Sequence, residues 1–163
     1  MPSYSKYDQE AEKSQFLKRT EHILFILLLL MIACFFTWSE NVAITRLIKV
    51  VGRLGVMTGA ILLYANILKH RAIDTLEWKN KGAYLLYAGY LALGFASFMW
   101  STNVGYSALQ WFMTTQTLVF SYYFVKSIRL LDHYMPGHTI RMTKLAGNSA
   151  FILLSVFVIG KFA

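Results

Sequence analysis

The sequence predicts an all-α protein, a polytopic transmembrane helical bundle of about five spanning helices with a cytoplasmic N-terminus. Three observations carry this. The 163 residues are 56% hydrophobic and 16% aromatic, with a mean hydropathy of +0.46. Only 15% are charged, against roughly 25% in soluble proteins. The apolar residues fall in five runs, and in lipid each backbone N–H and C=O must be bonded within its own segment, which makes every run a helix. No alternating strand pattern is long enough for a barrel, and no internal repeat is visible.

Residues 1–21 are polar and of mixed charge, and read as a cytoplasmic tail, or as a surface helix with Phe16 and Leu17 touching lipid. Half of that charge is acidic, unlike the short basic start of a signal peptide. Residues 22–163 read as the transmembrane domain. Its first run, 22–38, carries no full charge and ends at Trp38, whose indole suits a membrane interface. The second, 42–68, holds Gly55 and Gly59 at a spacing that permits close helix contact. A charged loop, 69–81, precedes the third run, 82–100. There Ala88, Ala92 and Ala96 form a small-residue stripe expected to face another helix.

Residues 101–106 (STNVGY) read as a tight turn, with Asn103 and Gly105 supplying the turn chemistry. The fourth run, 107–125, carries Gln110, Thr114, Thr115, Gln116 and Thr117, and should face protein or a wet cavity. A basic loop with a Pro136–Gly137 turn, 126–147, leads to the fifth run, 148–160. That run is short for a span unless its helix begins near Thr143. The chain stops at FVIGKFA with hardly a polar tail, which reads as the front portion of a longer polypeptide.

Orientation follows from Lys and Arg. Twelve lie in the tail and in the loops 69–81 and 126–147; four lie on the other side. Basic residues favour the cytoplasmic side, so the N-terminus is cytoplasmic and the STNVGY turn is outside. The net charge of +8 would suit nucleic acid in a soluble chain. Here the basic residues sit at bilayer edges, and no nucleic-acid partner is expected.

Arg46, Lys49 and Arg53 break the rule. They lie three and four apart, on one face of the second helix and in its outer half. One reading is snorkelling, or an interfacial segment before a span that begins at Leu54. The other is an anion site at the outer leaflet, where guanidinium groups fork onto phosphate oxygens.

Other chemistry is thin. Cys34 is the single cysteine and reads as a small buried residue. His22, His70, His133 and His138 sit at loop edges, so no bis-histidine haem site forms and no metal or cofactor is expected. No phosphate loop, dinucleotide fingerprint or nucleophile elbow occurs. Tyr84, Tyr87 and Tyr90, at helical spacing, read as packing or as a sugar platform.

The segment LALGFASFMWSTNVGYSALQWF (91–112), with Trp100, Ser101 and Ser107, resembles the front of the O-antigen ligase / O-antigen polymerase superfamily. The resemblance extends over about residues 22–160. It implies a larger helical fold in the bacterial cytoplasmic (inner) membrane. It also implies transfer of a sugar chain from an undecaprenyl-diphosphate carrier at the outer face. In that family a large extracytoplasmic loop in the second half carries catalytic Arg and His residues. No such loop falls within these residues, so no catalytic residue is assigned. Binding of the carrier diphosphate by Arg46, Lys49 and Arg53 is an inference from charge and side. Membrane lipid is the other expected partner. The alternative is a small non-catalytic structural subunit that associates with other membrane subunits. A transporter half is a third reading, for which the inverted repeat is missing.

Overall fold

Each of the five apolar runs is helical over most of its described residues, the first leaving its helix after Ala33. The computed structural model describes residues 6–36, 41–69, 82–134 and 138–162. The helices are α1 (Lys6–Ala33), α2 (Val42–Lys69), α3 (Gly82–Ala96), α4 (Val104–Tyr134) and α5 (His138–Phe162). A single 3-10 turn, Ser97–Trp100, extends α3. There is no strand among the described residues. Trp38, the 69–81 loop beyond Lys69 and the Pro136–Gly137 turn lie outside them.

Capping explains two of the starts. The Asn41 side-chain oxygen accepts from the Ala43 N–H at 2.9 Å, and the Asn103 side-chain oxygen accepts from the Tyr106 N–H at 3.0 Å. Each satisfies an amide that the first helical turn leaves open. Asn103 therefore works as a cap. The turn shrinks to residues 101–103, and Gly105 already lies inside α4. The Ser101 and Ser107 hydroxyls, 2.7 Å apart, close this corner.

Two hairpins set the directions. Cys34 lies beside Gly52 and Leu27 beside Gly59, so α1 and α2 run antiparallel. Trp111 lies beside Gly94 and Tyr122 beside Tyr84, so α3 and α4 do the same. Along α2 and α4 the pairs Arg46–Tyr106, Gln116–Val50 and Tyr64–Tyr123 ascend together, and these two helices are parallel. Their contact is the most extensive in the protein; α1 packs on α2 and α5, and α5 on α4. The core lies between α1, α2 and α4. Leu24 and Met31, Val56, Ala60, Leu63 and Ile67, and Phe120 and Phe124 fill it. The α2 members recur every three to four residues, the signature of one buried helical face.

Several expectations need correction. The helix in the 1–21 segment is not a separate surface element: it starts at Lys6 and is continuous with the first apolar run. Leu17 is buried in the protein's own core, so lipid does not cover it. The close approach of α1 to α2 uses Gly52 and Gly59, not the Gly55–Gly59 pair. A methyl added at Gly52 would come within 2.8 Å of the Cys34 sulfur, and one at Gly59 within 2.9 Å of a Leu27 methyl; Gly55 faces open space. Seven residues are two helical turns, which returns the chain to the same face.

The alanine stripe of α3 is also turned the other way, with Ala88 and Ala92 exposed. The Trp111 indole decides this. Its N–H donates to the Leu91 carbonyl at 2.8 Å, and its ring sits against Gly94, which faces that side of α3 onto α4. Among the described residues α3 packs on no other helix.

By length and composition one described helix, α2, is long and apolar enough to cross a membrane, with a mean hydropathy of 1.6. The apolar stretches Tyr84–Trp100 and Ala146–Val156 are shorter. Within the described residues α1 carries Lys18, Arg19 and Glu21 inside the helix, and the uncharged stretch of α4 holds Gln110, Thr114, Thr115, Gln116 and Thr117.

Candidate anion-binding site

The three basic residues of α2 lie on one face but in graded environments. Arg46, nearest the helix start, is exposed, with its guanidinium 5.8 Å from the centre of the Tyr106 ring on α4. Lys49 is half-buried. Arg53, two turns in from Arg46, is buried at 8% exposure. The column therefore runs from the open end of the α2–α4 seam down into the α1–α2–α4 core.

Arg53 is the unusual member. Its guanidinium carbon lies 4.3 Å from the centre of the Phe35 ring. Phe35 comes from the turn after α1 and is half exposed, so it covers the cation from outside. Among the described residues Arg53 makes no hydrogen bond or ion pair, and its Nε is buried without a partner. The Cys34 thiol is within electrostatic range. A planar group with five N–H donors normally meets carboxylate, phosphate or carbonyl oxygens when buried. Here a ring face stands where an anion would be expected.

Gln116 of α4 supplies the second polar group of this interface. It is 1% exposed, and its amide nitrogen donates to the Val50 carbonyl at 3.3 Å, one turn from Arg53 along α2. Its oxygen Oε1 is buried and unbonded. The remaining polar residues of α4 are self-contained. The Thr114, Thr115 and Thr117 hydroxyls donate to the carbonyls four residues back, at 2.9, 2.9 and 3.0 Å. Gln110 is exposed and donates to the Tyr106 hydroxyl at 3.0 Å. The expected wet or protein-facing stripe is thus one inter-helix glutamine plus hydroxyls closed onto their own helix.

The tyrosines of α3 separate in the same way. Tyr84 is half-buried and edge-on to Tyr122, at 5.1 Å between ring centres. Tyr87 and Tyr90 are exposed and contact each other at 6.1 Å. No group of three or more His, Cys, Asp or Glu able to hold a metal occurs among the described residues.

Sequence reasoning named Arg46, Lys49 and Arg53 but missed Phe35 as the cover of Arg53. The signal was available only jointly: an aromatic residue near the end of the first apolar run, and a basic one about three helical turns into the second. Compared with known protein families, with curated proteins and with solved structures, the chain matches none.

Proposed function

We propose that this chain is a multi-pass protein of the bacterial cytoplasmic membrane that takes part in glycan assembly. The basic column of α2 holds the diphosphate of an undecaprenyl-linked sugar chain at the extracytoplasmic leaflet. The observation that carries this reading is Arg53, a buried guanidinium with no acceptor among the described residues, covered by a ring. Such a group is costly in a helix bundle, and a function that needs a cation there accounts for it. Arg46 and Lys49 lead from it to the outer end of the seam, where phosphate oxygens would meet forked donors. The up–down order of the hairpins puts the STNVGY corner at the same end as Arg46. Large apolar side chains such as Leu86, Leu93, Met99 and Phe151 are exposed, as lipid contact requires. Transfer chemistry is not assigned to any residue.

The test is retention of undecaprenyl diphosphate by the purified full chain in mild detergent. The wild type should retain it, and Arg53→Met should not, with expression and helicity kept. Arg53→Lys, which keeps the charge and loses the fork, should fall between. No retention by the wild type, or equal retention by all three, would defeat the assignment.

A second reading is favoured by one specific observation. Among the described residues α3 packs on α4 alone and leaves Leu85, Leu86, Leu93 and Met99 exposed. A non-catalytic subunit of a larger membrane complex would bury that face against another chain. Particle size in mild detergent separates the two. A monomer counts against the subunit, and a larger assembly that dissociates on Leu86→Lys supports it.

A further inference from the structure

We infer that the opposite end of the α2–α3–α4 seam holds a second site, formed by Lys126, Arg129, Tyr64, Tyr84 and Tyr122, for the phosphate headgroup of an anionic phospholipid. This rests on the membrane reading above, but on different residues and the other leaflet.

The geometry is specific. The Lys126 ammonium lies 4.6 Å from the centre of the Tyr122 ring and 5.5 Å from that of Tyr64. Tyr122 also hydrogen-bonds it through its side chain, and that bond is the largest of the influences that push the Lys126 pKa up. Tyr84 sits edge-on to Tyr122 at 5.1 Å, and Tyr122 and Tyr123 contact at 5.2 Å. Arg129, exposed and one turn further along α4, is within electrostatic range of Tyr84. Tyr84, Tyr122, Lys126, Arg129 and Asp132 each make a further interaction, so a phosphate here would join groups already engaged with one another or with neighbours.

Two helices therefore hold one ammonium by ring faces and a hydroxyl, with Tyr84 of α3 packed on Tyr122 beside it, where a free lysine would wander. Tyr64 is five residues from the end of α2, Tyr84 two residues from the start of α3, and Lys126 just past the fourth apolar run. These are the ends where tyrosines and basic residues meet headgroups. A lipid phosphate there would meet a held cation, phenol donors and the Arg129 fork, in the cytoplasmic leaflet where anionic lipid attracts basic residues.

The test reconstitutes the full chain with equal amounts of phosphatidylglycerol and phosphatidylcholine, repurifies it in mild detergent and measures the ratio of the two lipids retained. The wild type should be enriched in phosphatidylglycerol. Lys126→Met should lower the enrichment about tenfold, the effect of losing one hydrogen bond to a charged group. Lys126→Arg should keep most of it. Lys144→Met, which removes the same charge from an exposed position on α5, should leave it unchanged. Excess inorganic phosphate should not displace the lipid. Equal losses for Lys126→Met and Lys144→Met would reduce the effect to general charge attraction and overturn the site. Displacement by inorganic phosphate would overturn the lipid assignment. Carbonate washing of membranes separates the two levels: a chain released by the wash refutes the membrane reading and this site together. A chain that stays without enrichment refutes this site alone.

Discussion

Replacing Arg53 by Met should stabilise the ligand-free protein while removing its anion affinity. A charged residue near the centre of a spanning helix costs about 2.5–3.5 kcal/mol on insertion scales. Arg53 is buried and its Nε has no acceptor among the described residues, so hydrogen bonding at that atom offsets none of this. The Phe35 ring at 4.3 Å returns about 0.5–2 kcal/mol. The difference leaves the fold about 0.5–3 kcal/mol to gain when an uncharged side chain of similar length fills the space. Reversible SDS unfolding in mixed micelles, followed by helicity, reads this as a higher midpoint. Phe35→Leu gives the companion measurement. It should destabilise the wild type by about 0.5–2 kcal/mol and cost much less in the Arg53→Met background, since the pair is then already broken. Destabilisation of Arg53→Met by about 1 kcal/mol or more would refute the reasoning, because Arg53 would then be an ordinary structural contact and its burial would need no ligand.

Other outcomes follow from single contacts. Gly55→Ala should be neutral or stabilise by up to about 1 kcal/mol, because the methyl meets open space and the helix gains propensity. Gly59→Ala gains the same propensity but makes the Leu27 methyl shift, so it should be less stable than Gly55→Ala by about 1 kcal/mol; a thermal melt ranks the two. Trp111→Phe keeps the ring against Gly94 but removes the bond to the Leu91 carbonyl, and should cost about 0.5–1.5 kcal/mol in the same melt. The Lys126 pKa is raised in the fold by its bond to Tyr122, so its contribution is fully present below the ordinary lysine value of 10.5 and is lost as pH rises through the higher folded value. Melting temperature should show a lysine-dependent fall on that alkaline side only, and Lys126→Met should abolish it.

The helices were legible in the sequence, and their ends were less so. The apolar runs place α2 and α3 almost to the residue, because loops of strong polar character bound them. The fourth run stops at residue 125, yet α4 continues to Tyr134, since Leu130 and Leu131 turn inward while Arg129 turns outward. A window average cannot separate the two faces of one helix. The same blindness hid the buried side of residues 6–21, where Leu17 and Thr20 turn inward.

At the site, the spacing of Arg46, Lys49 and Arg53 correctly puts them on one face, but their different burial depends on the register of α1 against α2. That register is fixed by Gly52 and Gly59, and the sequence pattern drew attention to Gly55 instead. Gln116 stood out as a polar residue in an apolar run. That it bridges to Val50 while its neighbouring threonines do not could be read only from the helix pairing.

The account turns on which leaflet the basic column of α2 faces. The direct measurement is labelling of single cysteines in intact cells with a membrane-impermeant maleimide, in a Cys34→Ala background. Arg46→Cys and Asn103→Cys should be labelled from outside, and Arg129→Cys only after the membrane is opened. Labelling of position 129 in intact cells, with 46 and 103 protected, would contradict it.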